Sequence, residues 1–378
     1  MTARLPRLQA LIAFPAQTGR RLHSKTMMHP KSFVHGLPSL LALGLFAAGI
    51  PAAAASAATA VDPAIAAYEP RSVKPAKDAG YVLPDGSLQI VEYSEMEGVV
   101  TALDGLFAKS HPGIRFKTAN ADNLGVIYCL TFDATAVAPL AWEVPGGLAY
   151  AAYVHGEPFG IRIAHASLNP DAKVSPLAVI VNKSNPVKSL KADQVAHIFT
   201  EGGRKRDIDH WNQAGLDAPW ATRQIHPCGL PWTDQYKTED TGYPDLFAKM
   251  MGGNQPVWNY DSSSSYAAVV RKVAEDPEAI GIAALNRVTD GVRVVPIASG
   301  WAAPSQGSAE DIVSGRYPYN RYIYIYVRRA SGKPLDPFIA EYLRLALSRE
   351  GQEAIAAEAH GYLPLNVDEA RAELTKLQ

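Results

Sequence analysis

The sequence predicts an α/β fold, and three features carry that prediction. In RYIYIYVRR, Tyr322, Tyr324 and Tyr326 alternate with Ile323, Ile325 and Val327, the period of two expected of a strand with one aliphatic face. Shortly after it, Asp336 as a capping residue and Pro337 at the first helical position open a helix that carries Phe338, Ile339, Tyr342 and Leu345 on one stripe. The same succession of short apolar strand and amphipathic helix recurs along the chain, the mark of an α/β protein with parallel strands.

The elements follow in order. LQIVEYSE reads as a strand entering a loop, and Val99, Leu103, Leu106 and Phe107 then recur at helical spacing until His111, Pro112 and Gly113 stop the helix. IRF leads into the polar loop TANADN, the apolar helical run LGVIYCLTF and the short buried strand TAVAPL. In LAVIVNKSNPV an apolar strand is ended by Asn185 and Pro186, and SLKADQVAHIF is amphipathic with Leu190, Val195 and Ile198 on its apolar side. Asp261 and Ser262 are placed to cap a helix containing Val269, Val270 and Val273, which Asp276 and Pro277 terminate before the strand-like IGIAAL and GVRVVPIA. Residues 58–86, rich in Ala, Pro, Lys and Asp without periodicity, read as a flexible leader, so that folding begins near Ser87.

Ahead of the leader, residues 1–57 hold Arg4, Arg7, Arg20, Arg21, Lys25 and Lys31, no acidic residue, the apolar run LPSLLALGLFAAGI and the small-residue stretch PAAAASAATA. That is the pattern of a cleaved secretory signal peptide, and its apolar core is too short for a comfortable membrane span. Met27 and Met28 offer alternative starts that give an ordinary signal length. Cleavage removes six basic groups and leaves 30 basic against 37 acidic residues, which argues against a nucleic-acid partner. Two cysteines, Cys129 and Cys228, allow at most one disulfide, so the fold must stand on its hydrophobic core. No cysteine follows the apolar run to carry a lipid, which leaves a periplasmic or secreted protein. The chain lacks H-E-x-x-H, C-x-x-C, G-x-S-x-G and P-loop motifs, and its histidines form no metal-spaced cluster, so neither an enzyme, a cofactor nor a metal site is expected.

Several segments together resemble the phosphate-type substrate-binding proteins of ABC transporters, within the type II periplasmic binding protein superfamily. SNPVKSLKADQVAHIFTEG with HWNQAG is similar to that family's "NP, helix, IFxG, W-x-x-x-G" block, and SYAAVVRKVAEDPEAIGIAAL to its "V-x-x-V-x-x-DPxxIGYA" block. SGRYPYNRYIYIYV, GKPLDPFIAEYLRLALSREGQEAI and GYLPL resemble its C-terminal run. The resemblance implies two α/β lobes, each a mixed sheet flanked by helices, with a ligand cleft between them: residues 87–178 and 320–378 as a discontinuous lobe 1, and 179–319 as lobe 2. It further implies a monomer that captures a small molecule, phosphate or another small solute, and passes it to an inner-membrane ABC permease or sensor. Cys129 and Cys228 then fall in different lobes, either bridged across the cleft or buried as free thiols.

On that pattern the ligand loops are Tyr93 to Met96, Asn120 to Asn123 and Asp240 to Tyr243, each preceding a helix whose free N–H groups and positive dipole end suit an anion. The candidate ligand residues are Tyr93, Ser94, Glu95, Asp122, Asn123, Trp142, Thr241, Gly242 and Tyr243. The loops also depart from the family. EYSEM stands where G-S-D-T-M is usual, NADN where G-S-G-T is usual, and APLAW where A-P-M-S-R is usual, with Ala141 in the Ser place and Trp142 in the Arg place. Leu230 occupies the other customary arginine position in GLPWTDQYKTEDTGY. Losing one charged partner of a buried phosphate costs about 2–5 kcal/mol. The acids Glu95, Asp122 and Asp240 would repel a dianion, and with Tyr93, Trp142, Trp232, Tyr236 and Tyr243 they suit a cation, a sugar or a peptide group better. Arg204, Lys205, Arg206 and Lys237 are the nearest compensating charges. The alternative is an exported interaction or scaffold protein that kept the fold and lost or changed its small ligand.

Overall fold

The computed structural model describes residues 60–144, 157–201, 207–233, 238–253, 255–329 and 333–378. The signal-peptide expectation and the candidate charges Arg204, Lys205, Arg206 and Lys237 lie outside these residues, as does Tyr236. Among the described residues no helix is long and apolar enough to cross a membrane.

The chain enters through β1 (Leu88–Glu92), α1 (Glu97–Ser110), β2 (Phe116–Asn120), α2 (Asn123–Thr131), β3 (Ala138–Leu140) and β4 (Glu157–Ser167). It continues through β5 (Leu177–Asn182), β6 (Leu190–Lys191), α3 (Ala192–Phe199), β7 (His226–Gly229), α4 (Tyr243–Met250), β8 (Asp261–Ser262), α5 (Tyr266–Glu275), β9 (Ala279–Ala284), β10 (Val292–Val294), β11 (Ile297–Ala298) and α6 (Ala309–Val313). It returns through β12 (Tyr322–Arg329), α7 (Pro337–Ala346), α8 (Arg349–Ala357), β13 (Tyr362–Leu363) and α9 (Val367–Thr375).

Two large hydrophobic cores give the two lobes. The first draws on Ile65 to Val174 and on Ile323 to Ala370, with a smaller cluster of Val91, Val126, Ile127, Leu130, Leu140 and Tyr326 in the same lobe, and the second on Leu177 to Tyr319 with Leu363. The first lobe holds the four-stranded sheet β13-β4-β12-β3 and the pair β1-β2; the second holds the five-stranded sheet β10-β5-β9-β7-β8. The expected α/β fold with two lobes is what forms, but the strands are not mainly parallel. β1 with β2, and β7 with both β8 and β9, run parallel, whereas β5 pairs antiparallel with β9 and β10, and β12 antiparallel with β3 and β4. β5 and β12 thus make the sheets mixed, each pairing antiparallel with both of its neighbours.

Local chemistry accounts for most boundaries. Asp336 caps α7 by accepting from Phe338 N at 2.8 Å, with Pro337 at the first helical position, as the sequence indicates. Ser265, not Asp261 or Ser262, caps α5; those two residues form β8 beside β7. β2 extends through Thr118, Ala119 and Asn120, so part of the expected polar loop is strand. β4 is long and carries Arg162 and His165, which obscure its pattern; both are paired with α9, through Glu373 at 2.5 Å and Glu369 at 2.9 Å. Tyr326 lies over Gly160 of β4, where an added Cβ would approach its ring to 2.7 Å. Gln352 of α8, fully buried, donates to Ile163 and Ala346 and accepts from Leu365 N, so its amide costs little to bury.

Residues 60–86 are not a flexible leader. Ile65 and Tyr81 are buried in the first core, Tyr68 donates to Glu341 and Tyr81 to Asp336, and Arg349 N bonds to Ala66 O. Four anchoring residues, Ile65, Ala66, Tyr68 and Tyr81, spread over this Ala- and Pro-rich stretch, offset its ordering entropy without forming a periodic pattern.

Candidate functional site

The N-termini of η-turn Ser94–Met96, of α2 and of α4 face the cleft from two lobes, with the segment ahead of β12 between them. They enclose a cavity of about 50 Å³ lined by Tyr93, Glu95, Asn123, Trp142, Thr241 and Gly242, together with Ala141, Lys173, Val174, Glu239, Asp240 and Arg321. That is room for a few waters or one small ion, since a water needs roughly 10–15 Å³ on this measure. It is well below the roughly 300 Å³ at which pockets for organic ligands begin.

Three expected residues stand apart. Ser94 is exposed at the turn. Asp122 is exposed and caps α2 by accepting from Gly125 N at 2.7 Å. Tyr243 is fully buried in the second core, with its hydroxyl 2.9 Å from that of Tyr260. Nor do the three acids gather as unpaired charges. Glu95 is buried and pairs with Lys173 at 2.8 Å, Asp122 is spent on its cap, and Asp240 meets a guanidinium.

Arg321 is the residue that reading the loops missed. It sits one position before β12, on the segment returning from the second lobe to the first, and it is buried. Its Nη1 donates to Asp240 Oδ2 at 2.6 Å and its Nη2 to Asp240 Oδ1 at 3.3 Å. Asp240 Oδ2 also accepts from the Tyr266 hydroxyl at 2.7 Å, and Oδ1 from Gly242 N at 3.0 Å. Burial pulls the Arg321 guanidinium down, but the neighbouring Asp240 carboxylate outweighs it and holds the group above its ordinary value. A signal was available: Arg321 is a lone charge at the mouth of an apolar strand, at the point where the chain crosses between lobes.

Around this cavity the described residues draw the lobes together through the Arg321–Asp240 pair, Asn123 Nδ2 to Thr241 Oγ1 at 3.1 Å, Trp142 Nε1 to Asp245 Oδ2 at 3.1 Å, and Lys249 Nζ to Glu143 Oε2 at 3.0 Å. Trp142, in the place where the family pattern has arginine, thus acts as a neutral donor. Gly242 eases this approach, because a Cβ there would lie 3.0 Å from Trp142 Cδ1 and 3.1 Å from Arg321 Nη2 and would push both side chains back by a few tenths of an ångström. Asn123 Oδ1 is buried in the same wall without a hydrogen-bond partner. Beyond Trp142 and Arg321 lies a larger cavity of about 500 Å³, lined in part by Tyr322 and Tyr324, so of the three alternating tyrosines only Tyr326 is buried packing.

Residues 171–350 match the family model described as a PBP superfamily domain. The chain is 27% identical over 342 residues to the phosphate-binding protein PstS of Pseudomonas aeruginosa, covering 89% of this chain and 98% of that protein. Among solved structures it is similar to PstS from Borrelia burgdorferi, at 15% identity and a TM-score of 0.49 over 74% of this chain and 99% of that one. It is also similar to an ABC-type phosphate transport receptor from Vibrio cholerae, at 16% identity and a TM-score of 0.47 over 73% and 98%. The resemblance read from the sequence segments is borne out.

Away from this site, Cys228 is buried in β7 and Cys129 half-buried on α2, and both are free thiols. The tertiary structure also gathers His226, Asp276 and Glu278, which no sequence spacing revealed. His226 Nδ1 lies 2.7 Å from Asp276 Oδ2 at the exposed start of β7, and Asp276 Oδ1 accepts from Glu278 N, which is a surface ion pair at a turn.

Proposed function

We propose that this chain is a non-enzymatic, exported solute-binding protein that captures phosphate or a closely similar small oxyanion between its lobes and delivers it to an inner-membrane ABC permease or sensor. Residues 87–178 with 320–378 form one lobe on this reading and 179–319 the other, and the protein acts in the periplasm as a monomer after loss of residues 1–57. The observation that carries the proposal is the buried Arg321 guanidinium on the wall of an ion-sized cavity. It supplies the fixed positive charge that the loop sequences lack, beside the Gly242 N–H at the start of α4. Asn123 Oδ1, an acceptor without a partner, suits a ligand that brings its own O–H, as a protonated phosphate does. Similarity along nearly the whole length of a protein named for phosphate binding supports the same class of ligand.

The test is thermal unfolding of protein denatured and refolded to strip bound ligand, with millimolar phosphate and with sulfate as control. A ligand at a hundred times its dissociation constant adds about 2.7 kcal/mol of stability. A shift with phosphate that exceeds the sulfate shift supports the proposal; no shift with any small oxyanion refutes it.

One arrangement favours the second reading, a scaffold that no longer binds a small ligand. The Arg321 charge is already met by Asp240, and the lobes are clasped by their own side chains. Under that reading phosphate changes neither stability nor shape.

A further inference from the structure

The Asp240 carboxylate takes every hydrogen bond that an anion at this point of the cleft would use. Both nitrogens of the Arg321 fork, the Tyr266 hydroxyl and the Gly242 N–H at the first turn of α4 point at its two oxygens, at 2.6, 3.3, 2.7 and 3.0 Å. A planar carboxylate held by a bidentate guanidinium, a hydroxyl and a helix-terminal amide is bound as an oxyanion ligand is bound. The group is part of the wall: Asp240 is one-tenth exposed, Arg321 and Tyr266 are buried, and Asp240, Arg321 and Gly242 line the ion-sized cavity. Asp240 stands three residues before α4 begins to wind freely, in the segment DTGY, whose backbone turn is closed by Tyr243 N bonding back to Asp240 O at 3.0 Å. Its carboxylate is therefore tethered to the very loop that would close over a ligand.

We propose that Asp240 is an internal anion that competes with the solute for Arg321, so that the carboxylate sets the affinity of the cleft and holds the lobes together when no solute is bound. This rests on the reading of the cleft as an oxyanion site. An incoming phosphate must take over the guanidinium, and it does so against a competitor whose effective concentration is fixed by its tether. Placing a second anion beside Asp240 without displacing it puts two negative charges within contact distance in a buried site, which is costly. The competition also gives a physical sense to the changed loops: where a cleft without this carboxylate leaves its arginine free, here the charge is balanced before the ligand arrives, and a clasped ligand-free form is stable.

Two variants test the competition by titration with inorganic phosphate, each checked for folding by circular dichroism. Asp240→Asn removes the competing charge while keeping the shape, and it should bind phosphate about tenfold more tightly or better, the equivalent of about 1.4 kcal/mol. Asp240→Ala removes the carboxylate outright and leaves Arg321, the Tyr266 hydroxyl and the Gly242 N–H as donors, so it should tighten binding in the same direction, and it keeps the test open if Asp240→Asn does not fold. Phosphate binding by the unmodified protein, with tighter binding in the folded variants, supports the proposal. Phosphate binding by the unmodified protein with equal or weaker binding by the folded variants overturns it and leaves the oxyanion reading standing. Binding by none of the three overturns both.

Discussion

Arg321 Nη1 lies 2.6 Å from Asp240 Oδ2, and the two buried side chains come from opposite sides of the interlobe cleft. Removing one partner of a buried ion pair leaves the other desolvated and uncompensated, a loss of about 3–5 kcal/mol. Arg321→Met should therefore destabilise the protein by that order in denaturant unfolding. The double variant Arg321→Met with Asp240→Leu should recover much of it. A loss in the double variant equal to the sum of the two single-variant losses would show that the pair is not coupled.

Closure depends on neutral bonds as well. Trp142→Phe keeps the ring packing on Gly242 but loses the Nε1 bond to Asp245, worth about 1 kcal/mol. The ligand-free protein should then spend more time open, and small-angle scattering should give a larger radius of gyration than the unmodified protein. An unchanged radius would mean that this bond does not help hold the lobes.

Two buried acids in the first lobe set a pH dependence. Burial, with a contribution from Glu97, pushes Glu92 up to about 7; burial also pushes Asp104 up to about 7, partly offset by the bond from the Tyr342 hydroxyl and reinforced by Glu92. Both folded values lie above the unfolded ones, so their contribution to stability is complete below about pH 4 and is lost as the pH rises through 7. The depressed acids Asp85, Asp311 and Glu369 act in the opposite sense and only as the pH falls below the ordinary carboxylate range. Unfolding free energy should thus decline between pH 5 and pH 8, and Glu92→Gln should flatten that decline and raise stability at pH 8.

The reach of the sequence was uneven for physical reasons. Helix α7, with Asp336 and Pro337, and strand β12, with its alternating tyrosines, are local patterns and were legible in full. Strand β4 was not, because Arg162 and His165 make sense only opposite Glu373 and Glu369, some two hundred residues later. The segment 60–86 hid its docking in single residues, Tyr68 and Tyr81, whose partners lie on α7 and just ahead of it. At the candidate site, the sequence order of the loops was legible but their charge balance was not, since Arg321 and Asp240 are 81 residues apart and neither belongs to a spaced motif.

That docking can be tested. Tyr81 is buried and donates to Asp336 at 2.7 Å, so Tyr81→Ala should cost about 3–5 kcal/mol, in the range for losing a buried aromatic ring. Loss of less than about 1 kcal/mol would return residues 60–86 to the status of a linker.

The thiols give a further check. Cys129 is half-buried and Cys228 buried, with burial pushing its thiol up to about 12. Native protein should react with a thiol reagent at Cys129 alone, slowly, and at both positions after unfolding without reductant. Absence of any reaction in unfolded, unreduced protein would instead reveal a bridge.

The central claim is that the cleft holds one small oxyanion on Arg321. Equilibrium dialysis of the stripped protein against radiolabelled phosphate, beside folded Arg321→Gln, measures it most directly. The account predicts one phosphate per chain in the unmodified protein and none in the variant. No bound phosphate in the unmodified protein, or equal binding by the two proteins, would contradict it.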